Sequence, residues 1–307
     1  MELSTKGIRF YPKYIMPMKL LEEESFDGSR GYGERFRIMV IQDGSGILEL
    51  NDKKFPLIAP AILCINEKER IILEKNSNLK VFTIYFHPGI INSIMNFENI
   101  RGYIEGEFSI SASQDLYILD SFLNRDMYTG YAPIGPNTLR RVNYLYNRIL
   151  EEIEEQRDNS WPCRSRSYLL ETLYLIRRTF EIDLRTQKLA VDYSEAGDEI
   201  INDIIFYLFS NYPSKITIND MINIFHINRT SLMEKFSKAT GSTIMNYLSK
   251  IRINVAAMIL RDTTISVYEV MERVGFNDMS HFGRIFKRYL GCSPTEYRQK
   301  YCWMLVG

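Results

Sequence analysis

The sequence has few of the residues that build metal centres and disulfide frameworks. Its 307 residues include four cysteines without C-x-x-C spacing and three histidines, and of the histidines only His87 lies in the N-terminal third. One histidine is too few for a transition-metal site, and scattered cysteines are typical of reduced thiols. The chain also lacks a G-x-S-x-G elbow, a Walker loop and an H-E-x-x-H motif. We therefore expect neither catalysis nor a bound metal or cofactor.

Long apolar runs and a strong net charge are lacking too. The densest apolar stretch, 55–65, is short and contains two prolines, so no membrane span is expected. The N-terminus lacks the apolar core of a signal peptide, which predicts a cytoplasmic protein. The net charge is zero, which argues against indiscriminate coating of nucleic acid. Residues 197–307 carry a charge of +3 against −3 for the rest, which alone is weak evidence for DNA binding.

One pattern occurs twice in the C-terminal part of the chain. Each copy has a capping box, a short apolar helix, a tight turn, and a second helix that stops at a glycine before a tyrosine. The offset between copies is 49 residues before the turn and 50 after it. The corresponding pairs are Thr217 and Ser266, Asp220 and Glu269, Leu232 and Phe282, Phe236 and Phe286, Gly241 and Gly291, and Tyr247 and Tyr297. The repeat predicts two helix-turn-helix units, at 217–238 and 266–289.

A helix is predicted between the two units, from Thr243 to Leu260, because its apolar residues recur at helical spacing. At 1.5 Å per residue it would span roughly 27 Å, and successive major grooves on one side of B-DNA lie about 34 Å apart. A rigid helix of this length can hold two recognition helices in adjacent grooves. Arg252 and Arg261 on this helix are expected to face solvent or phosphate.

The N-terminal half predicts a β domain over 1–135, followed by helices. Short strands separated by turn signals are typical of a small antiparallel barrel with room for one ligand. The predicted strands are 36–41, 47–50, 55–65, 71–73 and 79–86, with a hairpin turn at Asp43-Gly44. From about residue 136 to 187 the apolar period becomes helical, and these helices either pack on the barrel or also form a dimer seam. The stretch 188–197 loses periodicity and is predicted to be a linker to a third region, 198–301.

The C-terminal residues resemble a known family. The segments 275–288 (GFNDMSHFGRIFKR) and 291–298 (GCSPTEYR) are similar to the signature of the AraC/XylS transcriptional regulators, and the resemblance covers roughly the last 110 residues. It implies an α+β protein: a cupin-like antiparallel β-barrel for the effector, a helical dimerisation region, and an all-α domain with two helix-turn-helix units. It further implies a homodimeric activator that binds double-stranded DNA and contacts RNA polymerase.

The resemblance also implies roles for individual residues. In the second unit, Ser280, His281, Gly283 and Arg284 would face base edges or phosphates, although His281 is equally well explained as a solvated surface residue. Arg284 is the strongest candidate because a guanidinium can bond guanine O6 and N7 together. Phosphate contacts are expected from Lys287 and Arg288. The outward positions of the first unit are Arg229, Thr230, Met233, Glu234 and Lys238.

Glu234 departs from the family pattern, which has a basic or polar residue there. Its carboxylate would repel phosphate, although it can accept a hydrogen bond from cytosine N4. His226 replaces the glycine of the turn, a change that histidine tolerates because it accepts positive φ more readily than most residues. We expect the first unit to position the protein and the second to supply most of the specificity.

The effector is expected to be a small molecule, and the sugar-binding members of the family suggest a carbohydrate. Candidate pocket residues, from inferred strand faces, are Arg37, Met39, Thr83 and Tyr85. The aromatic residues Tyr32, Phe36, Phe82 and Tyr85 either stack on a sugar or belong to the core. Arabinose is not expected, because Val81 and Thr83 stand where the arabinose-binding relatives have a histidine and a tryptophan. Two alternatives remain: an effector-free dimeric regulator, and an enzyme of the cupin class.

Overall fold

The computed structural model describes residues 3–22, 34–51, 53–101, 109–186 and 199–302. The predicted linker 188–197 and Tyr32 lie outside these residues. The strands are β1 (Thr5–Lys6), β2 (Ile15–Met16), β3 (Met18–Leu21), β4 (Phe36–Leu50), β5 (Lys53–Ile58), β6 (Ala61–Ile65), β7 (Ile71–Phe86) and β8 (Tyr131–Pro133). The helices are α1 (Phe97–Arg101), α2 (Ile110–Tyr117), α3 (Asp120–Leu123), α4 (Pro136–Glu155), α5 (Trp161–Thr186), α6 (Glu199–Asn211), α7 (Ile218–Phe225), α8 (Arg229–Thr240), α9 (Ile244–Asp262), α10 (Val267–Arg273), α11 (Met279–Leu290) and α12 (Pro294–Tyr301).

The N-terminal half is built on an antiparallel sheet, which confirms the predicted class of strand pairing. The strand order is β3-β7-β4-β6-β8, and β5 pairs with the second half of β4. The outermost strands, β3 and β8, do not pair with each other in the described part of the chain, so the sheet is open there. The expected closed barrel is therefore not what these strands form. Both outer strands are short, with four and three residues, and offer few groups for a further pairing.

The predicted breaks between strands are partly wrong. Strand β4 runs without interruption through Asp43-Gly44, where the register with β7 shifts and Gly44 has a φ of 93°. The dipeptide makes a bulge that bends one long strand, and not a hairpin turn. Strand β7 likewise joins the two runs predicted at 71–73 and 79–86. The run predicted at 55–65 is divided near Pro60, which cannot donate a hydrogen bond to a neighbouring strand.

Side-chain alternation gives the sheet a helix-covered face and an opposite face. The helix-covered face carries Phe36, Ile38 and Val40, which share one buried cluster with residues of α4 and α5. The opposite face carries a separate buried cluster that includes Met39 and Leu63. Helices α4 and α5 pack on the helix-covered face of the sheet, as their apolar stripes predict, and also against each other. No helix in the described ranges has both the length and the apolar character needed to cross a membrane.

The C-terminal half is helical and has two buried clusters arranged along α9. The first joins α6, α7 and α8 to the N-terminal part of α9, up to Ile251. The second joins α10, α11 and α12 to the remainder of α9, from Ile253. The predicted connecting helix is confirmed: α9 begins after Thr243, whose side chain accepts a hydrogen bond from the Asn246 backbone N–H. One continuous helix thus lies in the core of both helix-turn-helix units.

Candidate nucleic-acid interface

The first helix-turn-helix unit consists of α7, a short turn and α8. Thr217 and Asp220 form a complete capping box at the start of α7. Helix α7 ends at His226, whose φ of 50° and ψ of 38° lie in the left-handed region. The Asn228 side chain then accepts a hydrogen bond of 2.9 Å from the Ser231 backbone N–H and starts α8. The sequence pattern therefore located the turn and both helix starts.

The second unit repeats this construction with α10 and α11. The Ser266 hydroxyl caps α10 by accepting from the Glu269 backbone N–H at 3.0 Å. Gly275 occupies the turn with a φ of 87°, and Asp278 caps α11 at the His281 backbone N–H. Both second helices, α8 and α11, end at a left-handed glycine, Gly241 and Gly291, whose N–H donates to the carbonyl four residues earlier at 2.8 Å.

The packing that holds α8 and α11 is also repeated. Phe236 of α8 contacts Tyr247 of α9, with ring centroids 5.3 Å apart at an interplanar angle of 89°. Phe286 of α11 contacts Tyr297 of α12 in the same way, at 5.5 Å and 80°. All four rings are buried. These contacts fix the inner side of each recognition helix and leave the outer side for a partner.

The outer side of α8 and α11 contains every residue for which the resemblance implies a DNA contact. Ten of the eleven are exposed, and only Gly283 is half-buried. The exposed residues are Arg229, Thr230, Met233, Glu234, Lys238, Ser280, His281, Arg284, Lys287 and Arg288. The structure thus places one predicted set on the exposed side of each recognition helix.

The two recognition helices differ in charge. Helix α11 contains Arg284, Lys287 and Arg288 and no acidic residue, whereas α8 contains Glu234 among its basic residues. The Arg288 guanidinium lies 5.9 Å from the ring centre of Tyr289, which orients it beside the end of the helix. Helix α8 also presents Lys235, an exposed cation that the sequence pattern did not single out, because one lysine on a helix carries no positional signal.

Two arginines of α9 do not lie where we expected them. Arg252 donates to the carbonyls of Tyr212 and Ser214, both at 2.7 Å, and its guanidinium lies 5.7 Å from the ring centre of Phe276. Burial lowers the pKa of Arg252. Arg261 is buried and donates to the Pro133 carbonyl at 3.2 Å. Both side chains are used inside the protein, so the expectation that they face solvent or phosphate is wrong.

The four candidate ligand residues lie together on the opposite face of the sheet. Arg37 pairs with Tyr85 and Met39 pairs with Thr83 across β4 and β7, so all four side chains share one face. All are buried. Arg37 donates to the Glu69 carbonyl at 2.7 Å, while the Thr83 hydroxyl has no hydrogen-bond partner among the described residues.

The remaining aromatic candidates belong to the core. Phe36 contacts the ring of Phe122 with centroids 5.0 Å apart, and Phe82 contacts Tyr146 of α4 at 4.0 Å. Both lie on the helix-covered face, away from Tyr85, so of the two alternatives these residues follow the core one. His87 accepts a hydrogen bond from the Gly89 N–H at 3.0 Å. No group of histidine, cysteine or acidic side chains within the described ranges is arranged to hold a metal ion.

Comparisons with known proteins agree with the architecture. A family profile described as a helix-turn-helix domain matches residues 221–300. The "HTH-type transcriptional activator RhaS" of Enterobacter sp. (strain 638) is 22% identical over 265 residues, covering 85% of this chain and 84% of the relative. The "Uncharacterized HTH-type transcriptional regulator YdiP" of Escherichia coli (strain K12) is 35% identical over 104 residues, 34% of each chain.

Among solved structures, the DNA-binding domain of AdpA in complex with a target DNA is 25% identical, covers 33% of this chain and 91% of that one, and has a TM-score of 0.32. The named relatives are regulators and not enzymes. The tandem units, the signature at 275–298 and the similarity to RhaS over most of both chains lead to one conclusion. Residues 221–300 form a helix-turn-helix domain, and the chain is similar to DNA-binding transcriptional regulators of the AraC/XylS type.

Proposed function

We propose that this regulator reads double-stranded DNA by placing α8 and α11 in successive major grooves on one side of the duplex. The observation that carries the proposal is the matched geometry of the two units. Each recognition helix is capped, packed through one phenylalanine–tyrosine contact and exposed on its outer side. Both units share α9, which keeps their separation fixed.

The two helices have different tasks in this proposal. The cations and the half-buried glycine of α11 favour close approach to DNA, with Arg284 reading a guanine and Lys287 and Arg288 contacting phosphates. Ser280 and His281 contribute polar contacts at the start of the same helix. In α8, Arg229, Thr230, Met233 and Lys238 position the unit, and Glu234 restricts the bases that it accepts.

Selection of bound sequences from random double-stranded DNA tests this proposal. We expect an enriched motif with two blocks about one helical turn apart. Fixed base preferences should be stronger in the block contacted by α11. Enrichment of no motif, or of one block only, would contradict the proposal that α8 and α11 each recognise part of the DNA site.

For the N-terminal half, residues 1–135, we propose an effector-binding domain of cupin-like type. A carbohydrate is the first class to test, since the buried Thr83 hydroxyl and the Arg37 guanidinium supply polar groups on an otherwise apolar face. Met39 and Tyr85 would complete the wall of the site.

We further propose that residues 136–187 form a dimer seam, joined through 188–197 to a DNA-binding domain at 198–301. Tyr144 of α4 and Tyr174 of α5 support the seam, because about half of each side chain is exposed on the outer sides of these helices. The dimer would act as an activator in the cytoplasm, through contact with RNA polymerase.

An effector-free regulator is the main competing function, and a thermal-shift screen distinguishes the two. A bound sugar at 100 times its dissociation constant stabilises the folded state by about 2.7 kcal/mol. We expect at least one sugar to raise the unfolding temperature, and Thr83→Val to abolish that rise. No stabilisation by any sugar would favour the effector-free alternative.

A further inference from the structure

Helix α4 has no capping side chain of its own. Its N-cap residue is Gly135 and its first residue is Pro136, so the N–H groups of the first turn need an acceptor from outside the helix. The acceptor is the carboxylate of Asp262, the last residue of α9. Its Oδ2 accepts from the backbone N–H of Asn137 at 2.6 Å and of Thr138 at 3.1 Å. Its Oδ1 accepts from the Thr138 hydroxyl at 2.5 Å.

The contact between α4 and α9 is closely fitted. Asp262 is 2% exposed, and the side-chain amide of Asn137 donates to the Asp262 backbone carbonyl at 2.8 Å. A Cβ atom added to Gly135 would lie 2.2 Å from the Asp262 Cβ. The glycine therefore leaves room for the carboxylate, and its φ of −87° and ψ of 173° would suit alanine equally well.

The two helices joined at Asp262 lead to the two functional parts of the chain. On one side, Tyr146 of α4 contacts Phe82 of β7, the neighbour of Thr83 on the opposite face of the sheet. On the other side, α9 lies in the buried clusters of both helix-turn-helix units. A displacement of β7 that moves α4 would therefore also move the C-terminal end of α9.

A second contact joins the sheet to the first helix-turn-helix unit. The Ser45 hydroxyl at the bulge of β4 lies 2.7 Å from the Ser210 hydroxyl of α6. Ile58 of β5 packs against the buried cluster that α6 shares with α7, α8 and α9. The N-terminal half thus touches the first unit through α6 and the second through the end of α9.

We propose that Asp262 couples the N-terminal half to the DNA-binding half by capping α4 from the end of α9. Its carboxylate accepts three hydrogen bonds, so this contact outweighs the single hydroxyl–hydroxyl bond between Ser45 and Ser210. The outer sides of α8 and α11 are exposed while α4 and α9 are in contact, so this contact leaves the proposed DNA-binding residues accessible. The coupling therefore acts through the orientation of α9 and not by covering the proposed DNA-binding residues. It rests on the proposed DNA-binding function, and linkage requires that DNA bound at one half stabilises the other half as well.

Unfolding followed at a single tryptophan tests the coupling. Trp161 is buried in the N-terminal half, and Trp303→Phe removes the second tryptophan of the sequence. With selected DNA at about 100 times its dissociation constant, we expect the unfolding midpoint at Trp161 to rise by about 4 °C or more. In Asp262→Ala and in Gly135→Ala, made in the same background, the rise should fall below about 1 °C. The two variants break one contact from opposite sides, so a folding defect peculiar to either does not decide the result.

Asp220→Asn is the matched control. It removes a capping carboxylate from α7, within the DNA-binding half, and should keep the wild-type rise at Trp161. DNA affinity, measured separately by fluorescence anisotropy, should change less than about threefold in Asp262→Ala, a small change on the free-energy scale. If no selected DNA binds the unaltered chain, the DNA-binding proposal fails. If DNA binds but the midpoint does not rise, or if both variants keep the full rise, the coupling is refuted.

Discussion

At the scale of single residues, Gly283 is a residue that the packing of the fold does not require. It lies inside α11, where glycine costs about 0.5–1 kcal/mol relative to alanine. An added Cβ would meet no atom within 4 Å, so packing does not demand glycine there. In the proposed function a DNA backbone would approach closely next to Arg284, and this would account for the glycine.

Gly283→Ala should therefore separate stability from binding. We expect the free energy of unfolding to rise by about 0.5–1 kcal/mol, because the helix gains a better helix former. DNA affinity should fall at least about fivefold, since about 1 kcal/mol of contact is lost. Denaturant titration and anisotropy measure the two quantities. Tighter DNA binding by the variant would show that the glycine faces no DNA.

Substitutions of Arg284 and Glu234 test the proposal that α11 supplies most of the base specificity while α8 positions the protein. Arg284→Ala should cost about 1–3 kcal/mol on the selected site and remove the preference for guanine at one position. Glu234→Ala should leave the affinity within about twofold, because it also removes repulsion from phosphate. Binding to sites with single base changes measures both effects. Equal losses of selectivity in the two variants would contradict these different roles of α11 and α8.

Lys287 is expected to contact a phosphate and therefore to act without regard to sequence. Lys287→Ala should weaken binding to selected and unrelated DNA by the same factor. The slope of log affinity against log salt should become shallower by about 1, since one fewer counterion is released. A loss confined to the selected site would assign Lys287 to base reading instead.

At the scale of elements, the sequence was most informative where local signals agree with each other. Caps, glycine stops and apolar spacing predicted both helix-turn-helix units and α9 to within a few residues. The strands were harder, because Asp43-Gly44 has the composition of a hairpin turn but sits in a bulge that pairing with β7 maintains. The short helices between residues 97 and 123 were not predicted, because each has too few residues to show a helical period of apolar residues.

His226 gives a prediction about the turn of the first unit. Its left-handed φ of 50° is a conformation that glycine adopts without the Cβ penalty. His226→Gly should raise the free energy of unfolding by up to about 1 kcal/mol and leave DNA binding unchanged. Ile227→Gly, one position along in the same turn, is the control and should not stabilise. A destabilised His226→Gly variant would mean that the side chain makes a contact worth more than the strain.

At the scale of the whole molecule, the contacts between the two halves were beyond what the sequence can show. Asp262 and Gly135 are more than a hundred residues apart, and neither is unusual for the end of a helix. The same limit applies to Arg261, which looks like a surface cation in sequence and is buried against Pro133. Long-range packing decides such positions, and local pattern carries no information about it.

Hydroxyl-radical footprinting on a selected site tests the central claim most directly. Two recognition helices held by α9 should protect two segments of backbone about one helical turn apart on the same side of the duplex. Arg284→Ala should weaken the protection of both segments together, because one rigid helix joins the units. Protection confined to a single turn in the unaltered protein would contradict the account.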